Sequence, residues 1–191
     1  MTVDSQRTPI DVQARAAALA RVEGLMRAVP DFPQPGILFR DITPVLQDAA
    51  GLGAALGLLS GRVDDLQGKV ERIIGVESRG FLFGMPLAVR LGVGFVPVRK
   101  PGKLPAALIE ESYALEYGDD RLQIHEDAVA PGDRVIVVDD LLATGGTAAA
   151  TCALVERLGG VVEACLFLVE LDGLKGRTRL PGRRIESVLH Y

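Results

Sequence analysis

Apolar residues recur along the chain in two alternating patterns, short continuous runs and longer stretches with helical spacing. The short runs predict buried strands at residues 72–76, 94–98, 135–138, 161–171 and 185–189. Helical spacing predicts helices at residues 14–28, 50–66, 81–91 and 148–158. Because strands alternate with helices over most of the chain, the sequence predicts an α/β fold with a mostly parallel sheet flanked by helices.

Three segments depart from this alternation. Residues 1–13 are polar and are predicted to be disordered. Residues 29–46 hold four prolines around two short apolar pieces, which indicates a loop-rich segment with an irregular edge strand. Residues 104–120 form a long excursion that can turn back as a hairpin near Gly118, before a strand at 121–125, and such excursions often act as lids. We expect one domain over residues 1–191.

Composition narrows the classes of function. The chain is 48% hydrophobic but has no run of 18 apolar residues, so no membrane span is expected. Its opening lacks a basic segment followed by an apolar core, which predicts a cytoplasmic protein. A net charge of −4 disfavours nucleic acid as a partner. Cys152 and Cys165 lack the spacing of a zinc site or a disulfide framework, and both are expected to be buried thiols.

Residues 135–147, which read VIVVDDLLATGGT, combine a buried strand, two acids, a glycine turn and the start of a helix. This order predicts a phosphate site, because the unpaired amides and the dipole at a helix N-terminus attract anions. The loop lacks the lysine of a nucleotide-binding P-loop, and its acids precede the glycines, unlike those of a dinucleotide fingerprint. The candidate phosphate ligands are Ala143, Thr144, Gly145, Gly146 and Thr147.

Asp139 and Asp140 stand at the head of this loop. Their carboxylates would repel a phosphate, so we expect them to accept hydrogen bonds from vicinal sugar hydroxyls, directly or through a hard cation. Successive strand residues face opposite ways, so both acids can meet one ligand only where the strand pleat breaks down. The alternative is that both are solvated acids at a strand end.

Positive charge is concentrated after two other predicted strands. Ser78 and Arg79 follow the strand at 72–76, and Arg99, Lys100 and Lys103 follow the strand at 94–98. The second group is the densest cationic cluster of an acidic chain, which predicts a site for a pyrophosphate. The alternatives are a surface arginine and a solvated cluster.

The motif VIVVDDLLATGGT resembles the signature of the type I phosphoribosyltransferases, and further similarity extends from about Arg27 to Leu180. The resemblance implies the fold of that family, with a small N-terminal hood at 29–46 and a flexible lid at 104–120. It implies that the glycine loop binds the 5-phosphate of phosphoribosyl pyrophosphate (PRPP) and that the acid pair binds the ribose hydroxyls. The DDLLATGGT form is most similar to the branch that acts on adenine, which implies a purine salvage enzyme that makes AMP and pyrophosphate.

The same resemblance implies further roles. Base recognition maps to Leu38, Phe39 and Arg40, with Ala143 beside the base; the alternative for Phe39 is an ordinary core residue. Glu116 maps to the group that protonates purine N7, next to Tyr117 of the lid; taken alone, Glu116 would be a surface acid of a hairpin. The implied catalytic set is Glu116, Arg79, Asp139 and Asp140.

The resemblance also bears on the backbone, the cofactor and the assembly. It implies a cis peptide at Glu77–Ser78 and a homodimer. It implies Mg²⁺ as cofactor, held mainly by PRPP, pyrophosphate and water, with no direct protein ligand expected.

Three other functions remain open on the sequence. The first is transfer to another purine base, namely hypoxanthine, guanine or xanthine. The second is a regulator that senses purine or PRPP and binds DNA, which would need an additional basic domain. The third is a phosphate-binding module without catalysis, which would leave the acid pair, the cationic cluster and the lid unexplained together.

Overall fold

The computed structural model describes residues 12–114 and 119–191. The chain divides into two compact units, one ending at Leu58 and one beginning at Leu59. The expectation of a single domain stays a prediction.

The described residues of the first unit form two strands and three helices, and the last helix extends past Leu58. These elements are α1 (Val12–Leu25), β1 (Arg27–Pro30), β2 (Leu38–Asp41), α2 (Thr43–Gln47) and α3 (Ala49–Gly61). Because α1 begins at Val12, the prediction of disorder is wrong for residues 12–13, which are helical. Residues 1–11 lie outside the described residues.

The segment after α1 is an antiparallel hairpin, where the sequence predicted first a helix to residue 28 and then an irregular edge strand. β1 and β2 pair from Arg27 opposite Asp41 to Pro30 opposite Leu38. The Arg27 guanidinium donates from Nε to the Asp41 carboxylate at 2.9 Å. Strand pairing therefore overrides the helical pattern at residues 27–28, and the helix ends at Leu25.

The helix predicted at 50–66 is divided in the structure. Asp48 adopts an extended backbone with ψ 114° between α2 and α3, and its carboxylate accepts the Gly51 amide at 2.6 Å. This side-chain bond satisfies an amide of the first turn of α3 and starts a new helix. The remainder of the predicted helix is a separate 3-10 turn, Asp64–Leu66.

A five-stranded sheet forms the centre of the second unit, and every adjacent pair in the order β4-β3-β7-β8-β9 is parallel. The elements are β3 (Arg72–Val76), α4 (Gly80–Leu91), β4 (Gly94–Val98), β5 (Leu108–Ala114), β6 (Asp119–His125), β7 (Arg134–Leu142), α5 (Gly146–Arg157), β8 (Val161–Glu170) and β9 (Ile185–His190), with 3-10 turns at Asp172–Leu174 and Gly176–Arg179. The predicted α/β fold with a parallel sheet is confirmed.

Strands β5 and β6 pair antiparallel as a separate two-stranded sheet, as the predicted hairpin requires. Residues 115–118, at its tip, lie outside the described residues. No described helix combines the length and the apolar character needed to cross a bilayer.

Helices α4 and α5 pack on opposite faces of the sheet. On one face, α4 covers β3, since a Cβ on Gly84 would contact Ile73 and the Gly75 backbone. On the other face, Val135 and Val137 of β7 belong to the hydrophobic core that contains α5. The apolar run at 135–138 is fully buried, as a strand covered on both faces must be. This arrangement leaves the carboxyl ends of β3 and β7 side by side, where loops of parallel sheets form ligand sites.

Candidate active site

A cavity of about 480 Å³ lies in the second unit at the carboxyl ends of β3 and β7. Residues 77–79 line one side and residues 139–148 the other, together with Lys100 and Tyr113. The predicted phosphate loop and the predicted acid pair therefore face one space.

Gly145 forms the turn of the phosphate loop. It precedes α5 in the left-handed conformation, with φ 82°, and a Cβ atom there would stand 2.3 Å from the Gly176 carbonyl oxygen. Only glycine meets both requirements. Among the described residues no side chain caps α5, so the first-turn amides of residues 146–148 remain available to an anion.

β7 remains a strand through the acid pair. The break in the pleat that would let both acids meet one ligand stays a prediction. β7 pairs with β8 at Asp139 opposite Phe167 and again from Leu141 opposite Val169 to Leu142 opposite Glu170, whereas its pairing with β3 ends at Val138. The loss of β3 as a neighbour opens the edge of the strand. Both acids line the cavity beside the start of α4, where a Cβ on Gly80 would approach Asp139 Oδ1 to 3.1 Å.

Of the two carboxylates, Asp140 is buried and Asp139 is partly buried. Burial and the adjacent charge of Asp140 raise the pKa of Asp139 well above its usual range. Burial also raises the pKa of Asp140, although the Arg79 guanidinium opposes this from 2.9 Å. Asp139 accepts the Asp140 amide at 2.9 Å. A ligand that donates hydrogen bonds would therefore relieve a crowded pair of acceptors.

Each predicted pyrophosphate cation already has a carboxylate partner. Arg79 contacts Asp140, as above, and Lys100 contacts Asp120 and donates to the Tyr113 hydroxyl at 3.3 Å. Arg99 and Lys103 both contact Glu77. An incoming anion would have to share or replace these internal partners.

Glu77 is the principal polar residue that sequence reasoning missed. Its side chain is 9% exposed, and burial raises its pKa, but hydrogen bonds from Lys103, the Lys100 amide and Arg99 outweigh burial and lower the pKa to about 2. The peptide bond between Glu77 and Ser78 is cis, as the resemblance implies. The signal available in the sequence was an acid directly before Ser78 and Arg79.

The structure brings most of the predicted ligands to the cavity and leaves others elsewhere. Those that line it are Ser78, Arg79, Lys100, Asp139, Asp140, Ala143, Thr144, Gly145, Gly146 and Thr147. Arg99 and Lys103 are not among the lining residues and reach it only through Glu77. Glu116 and Tyr117 lie outside the described residues.

The predicted base-recognition residues, Leu38, Phe39 and Arg40, form most of β2 in the first unit. Phe39 is only partly buried, which argues against the alternative of an ordinary core residue. The rings of Phe32 and Phe39 form an edge-to-face pair, with their centroids 5.1 Å apart.

One group of potential metal ligands lies away from the cavity lining. Single ligand atoms of Glu170, Asp172 and His190 lie within 4.8 Å of one another. Both Glu170 oxygens already accept hydrogen bonds from Arg177, at 2.7 and 2.8 Å. A cation at this place would compete with the guanidinium for the same oxygens.

Comparisons with known proteins agree with this geometry. A family model described as phosphoribosyl transferase domain matches residues 44–182. The adenine phosphoribosyltransferase of Synechococcus is 55% identical over 167 residues, which cover 87% of this chain and 96% of that protein.

Two solved structures are similar over most of their length. The crystal structure of adenine phosphoribosyltransferase from Thermoanaerobacter pseudethanolicus has a TM-score of 0.86 and 53% identity, and the match covers 91% of this chain and 99% of that one. The enzyme from Saccharomyces cerevisiae, complexed with an imino-altritol bisphosphate and adenine, has a TM-score of 0.87 and 40% identity, with coverages of 91% and 99%.

Proposed function

Since this chain belongs to the phosphoribosyltransferase family, we propose that it transfers the 5-phosphoribosyl group from PRPP to N9 of adenine. The products are AMP and pyrophosphate. The observation that carries the proposal is a single cavity lined by both Asp139 and Asp140 and by the glycine loop that begins α5. The choice of adenine as the base follows from the three relatives named above, since all are adenine phosphoribosyltransferases by name.

In the proposed complex the sugar phosphate occupies the β7–α5 side of the cavity. The 5-phosphate accepts hydrogen bonds from the amides of residues 143–147, where the dipole of α5 favours negative charge. Asp139 and Asp140 accept hydrogen bonds from the ribose hydroxyls. Holding the sugar at both ends places the anomeric carbon for attack by N9.

Pyrophosphate is the leaving group of the proposed reaction. The bond from the anomeric carbon to the pyrophosphate oxygen breaks as the bond to N9 forms, and negative charge grows on the leaving oxygens. Ser78, Arg79 and Lys100 line the cavity. Arg99 and Lys103 form ion pairs with Glu77, which also lines it. Once pyrophosphate shares these cations with their carboxylate partners, they stabilise the negative charge that develops on it.

The donor set of the cavity suits Mg²⁺ that is bound through the substrate. The carboxylates of Asp139 and Asp140 are hard oxygen acceptors. Burial raises the pKa of both, and a nearby cation would stabilise their charged forms. When bound, Mg²⁺ would neutralise part of the pyrophosphate charge. We assign its direct contacts mainly to PRPP, pyrophosphate and water.

Adenine recognition is assigned to Leu38, Phe39 and Arg40 of β2, with Ala143 beside the base. A flat aromatic ring and nearby backbone groups suit a neutral heterocycle. Glu116 is proposed to protonate purine N7. Tyr117 is proposed to belong to a lid, residues 104–120, that excludes water and protects PRPP from hydrolysis.

A homodimer is the proposed assembly. Leu82, Met85 and Val89 share one face of α4, and their exposed fractions are 45%, 48% and 75%. An exposed apolar stripe of this kind is typical of an interface with a second copy of the chain. The proposed compartment is the cytoplasm, which is supported by the free thiols of Cys152 and Cys165, 3.5 Å apart and not joined in a disulfide.

The test is AMP formation from PRPP and adenine by the purified protein, with and without Mg²⁺. Parallel reactions with hypoxanthine, guanine and xanthine measure the choice of base. We expect AMP only when Mg²⁺ is present, and a far higher kcat/KM for adenine than for the other bases. Failure to make AMP, or a preference for another base, would contradict the proposal.

A further inference from the structure

The phosphate loop rests on a second turn that belongs to neither β7 nor α5. This support is the 3-10 turn Gly176–Arg179, between β8 and β9. A Cβ on Gly145 would stand 2.3 Å from the Gly176 oxygen, and a Cβ on Gly176 would stand 2.3 Å from the Ala143 oxygen. The two glycine backbones therefore pack directly on each other, and a movement of one must displace the other.

An ion pair holds this turn in place. Arg177 donates from Nε and Nη2 to the two Glu170 oxygens, at 2.7 and 2.8 Å, and from Nη1 to the Ile185 carbonyl at 3.2 Å. The Ser187 hydroxyl donates to Glu170 Oε2 at 2.6 Å. The fork of Arg177 thus joins the turn to the last residue of β8 and the first residue of β9.

The carboxylate at the centre of this arrangement is well fixed. Glu170 is 4% exposed and lies opposite Leu142 in the pairing of β7 with β8. The Leu171 amide donates to the Leu142 carbonyl at 3.0 Å, one residue before the phosphate loop begins. Glu170 therefore connects the end of the central strand to the turn beneath the loop.

We propose that Arg177 and Glu170 are positioning residues for PRPP, because together they hold Gly176 against the phosphate loop and so set the direction of its amides. Neither side chain lines the cavity, so both act through the backbone of residues 143–147. The inference rests on the proposed function, since it concerns the same phosphate site.

Substitutions in the Arg177–Glu170 pair can be compared with the same change in a second ion pair. The comparison separates an effect on PRPP binding from a loss of stability. Arg183 also forms a forked pair, with Glu156, at 2.7 and 3.0 Å, but Glu156 is more exposed than Glu170 and lies at the far end of α5 from the phosphate loop. For Arg177→Gln we expect the KM for PRPP to rise about tenfold while the KM for adenine changes less than about twofold, since small displacements of a binding group have large effects. Arg183→Gln should lower the melting temperature and leave both KM values unchanged.

Two further variants cover the possibility that a lone buried charge unfolds the protein. The double variant Glu170→Gln with Arg177→Gln removes both charges and should show the same selective loss. Arg177→Lys keeps the charge but not the fork, and should recover part of the PRPP affinity.

A pair of alanine substitutions tests the backbone contact without changing charge. Gly176→Ala places a methyl group against the Ala143 oxygen, whereas Gly173→Ala, in the preceding turn, has nothing within 4 Å. Neither glycine has a positive φ, so the two changes differ mainly in steric contact. We expect Gly176→Ala, and not Gly173→Ala, to raise the KM for PRPP and to weaken binding of ribose 5-phosphate by calorimetry.

The outcomes distinguish this inference from the proposed function. In the first outcome, the wild-type protein makes AMP, but the KM for PRPP stays at the wild-type value in Arg177→Gln, in the double variant and in Gly176→Ala. The positioning role is then overturned and the function stands. If the wild-type protein makes no AMP but binds ribose 5-phosphate, and these variants lose that binding, the positioning role stands alone. If the wild-type protein does neither, both are overturned.

Discussion

Glu77 offers the sharpest test of the electrostatics, because its contribution to stability should depend on pH in a defined way. Its pKa is about 2, compared with 4.5 for an unperturbed glutamate. A folded pKa below the unfolded value means that the stabilisation is fully present above about pH 4.5 and is lost as pH falls toward 2. At about 1.4 kcal/mol for each pKa unit, the contribution at pH 7 is about 3 kcal/mol.

The perturbation is Glu77→Gln, measured by urea unfolding at pH 7 and pH 3.5. The variant should be about 3 kcal/mol less stable at pH 7, and the difference should shrink by about 1 kcal/mol at pH 3.5, where the unfolded wild-type chain is already mostly protonated. Glu111→Gln is the matched control, because Glu111 pairs with Arg157 at 2.9 Å on a more exposed surface. That change should cost no more than about 1 kcal/mol.

Two results would refute this reasoning. A loss at pH 7 no larger than that of Glu111→Gln would show that the Glu77 cluster adds no more than a surface ion pair. A difference between wild type and Glu77→Gln that stays constant from pH 7 to pH 3.5 would show that the stabilisation does not come from the charge of Glu77.

Three further predictions concern the proposed ligands. Asp139→Asn and Asp140→Asn should each lower kcat/KM roughly 10- to 150-fold without unfolding the protein, since a hydrogen bond to a charged group is worth about 1.5 to 3 kcal/mol; unchanged kinetics in both would contradict the ribose role. Phe39→Ala should raise the KM for adenine by roughly 2- to 10-fold with little effect on PRPP, as expected for a lost aromatic contact, and calorimetry showing the reverse would remove Phe39 from the base site. Gly145→Ala should abolish PRPP binding and lower the melting temperature. The control is Gly132→Ala, because Gly132 has φ 88° but open space around it, so that variant should show only the smaller backbone strain. Equal effects in both variants would argue against the close contact of Gly145 with Gly176.

Much of the fold could be predicted because local pattern and tertiary burial agree. The apolar run at 135–138 was predicted to be a buried strand and is fully buried in the sheet centre. The prediction failed where local patterns competed. Residues 27–28 continue a helical pattern but pair with β2, and the helical stretch at 50–66 ends early, at Gly61.

The candidate site divides in the same way. The order of strand, acid pair, glycine loop and helix was visible in the sequence, because those residues are neighbours along the chain and their chemistry is local. Glu77 was not singled out, because its importance comes from Arg99 and Lys103, 22 and 26 residues away. The continuation of β7 past Val138, where its pairing with β3 ends, was also not predicted, since it depends on the order of the strands in the sheet.

By itself, then, the sequence determined the order of strands and helices, the loop that precedes α5 and the acids beside it, because hydrophobic period and turn chemistry act over a few residues. Only the tertiary structure decided which charges neutralise each other and which turn supports the loop. The contacts of Glu77 with Lys103, of Glu170 with Arg177 and of Gly145 with Gly176 join residues 7 to 31 positions apart. Such pairs depend on strand order and register, and no local pattern in a single sequence specifies them.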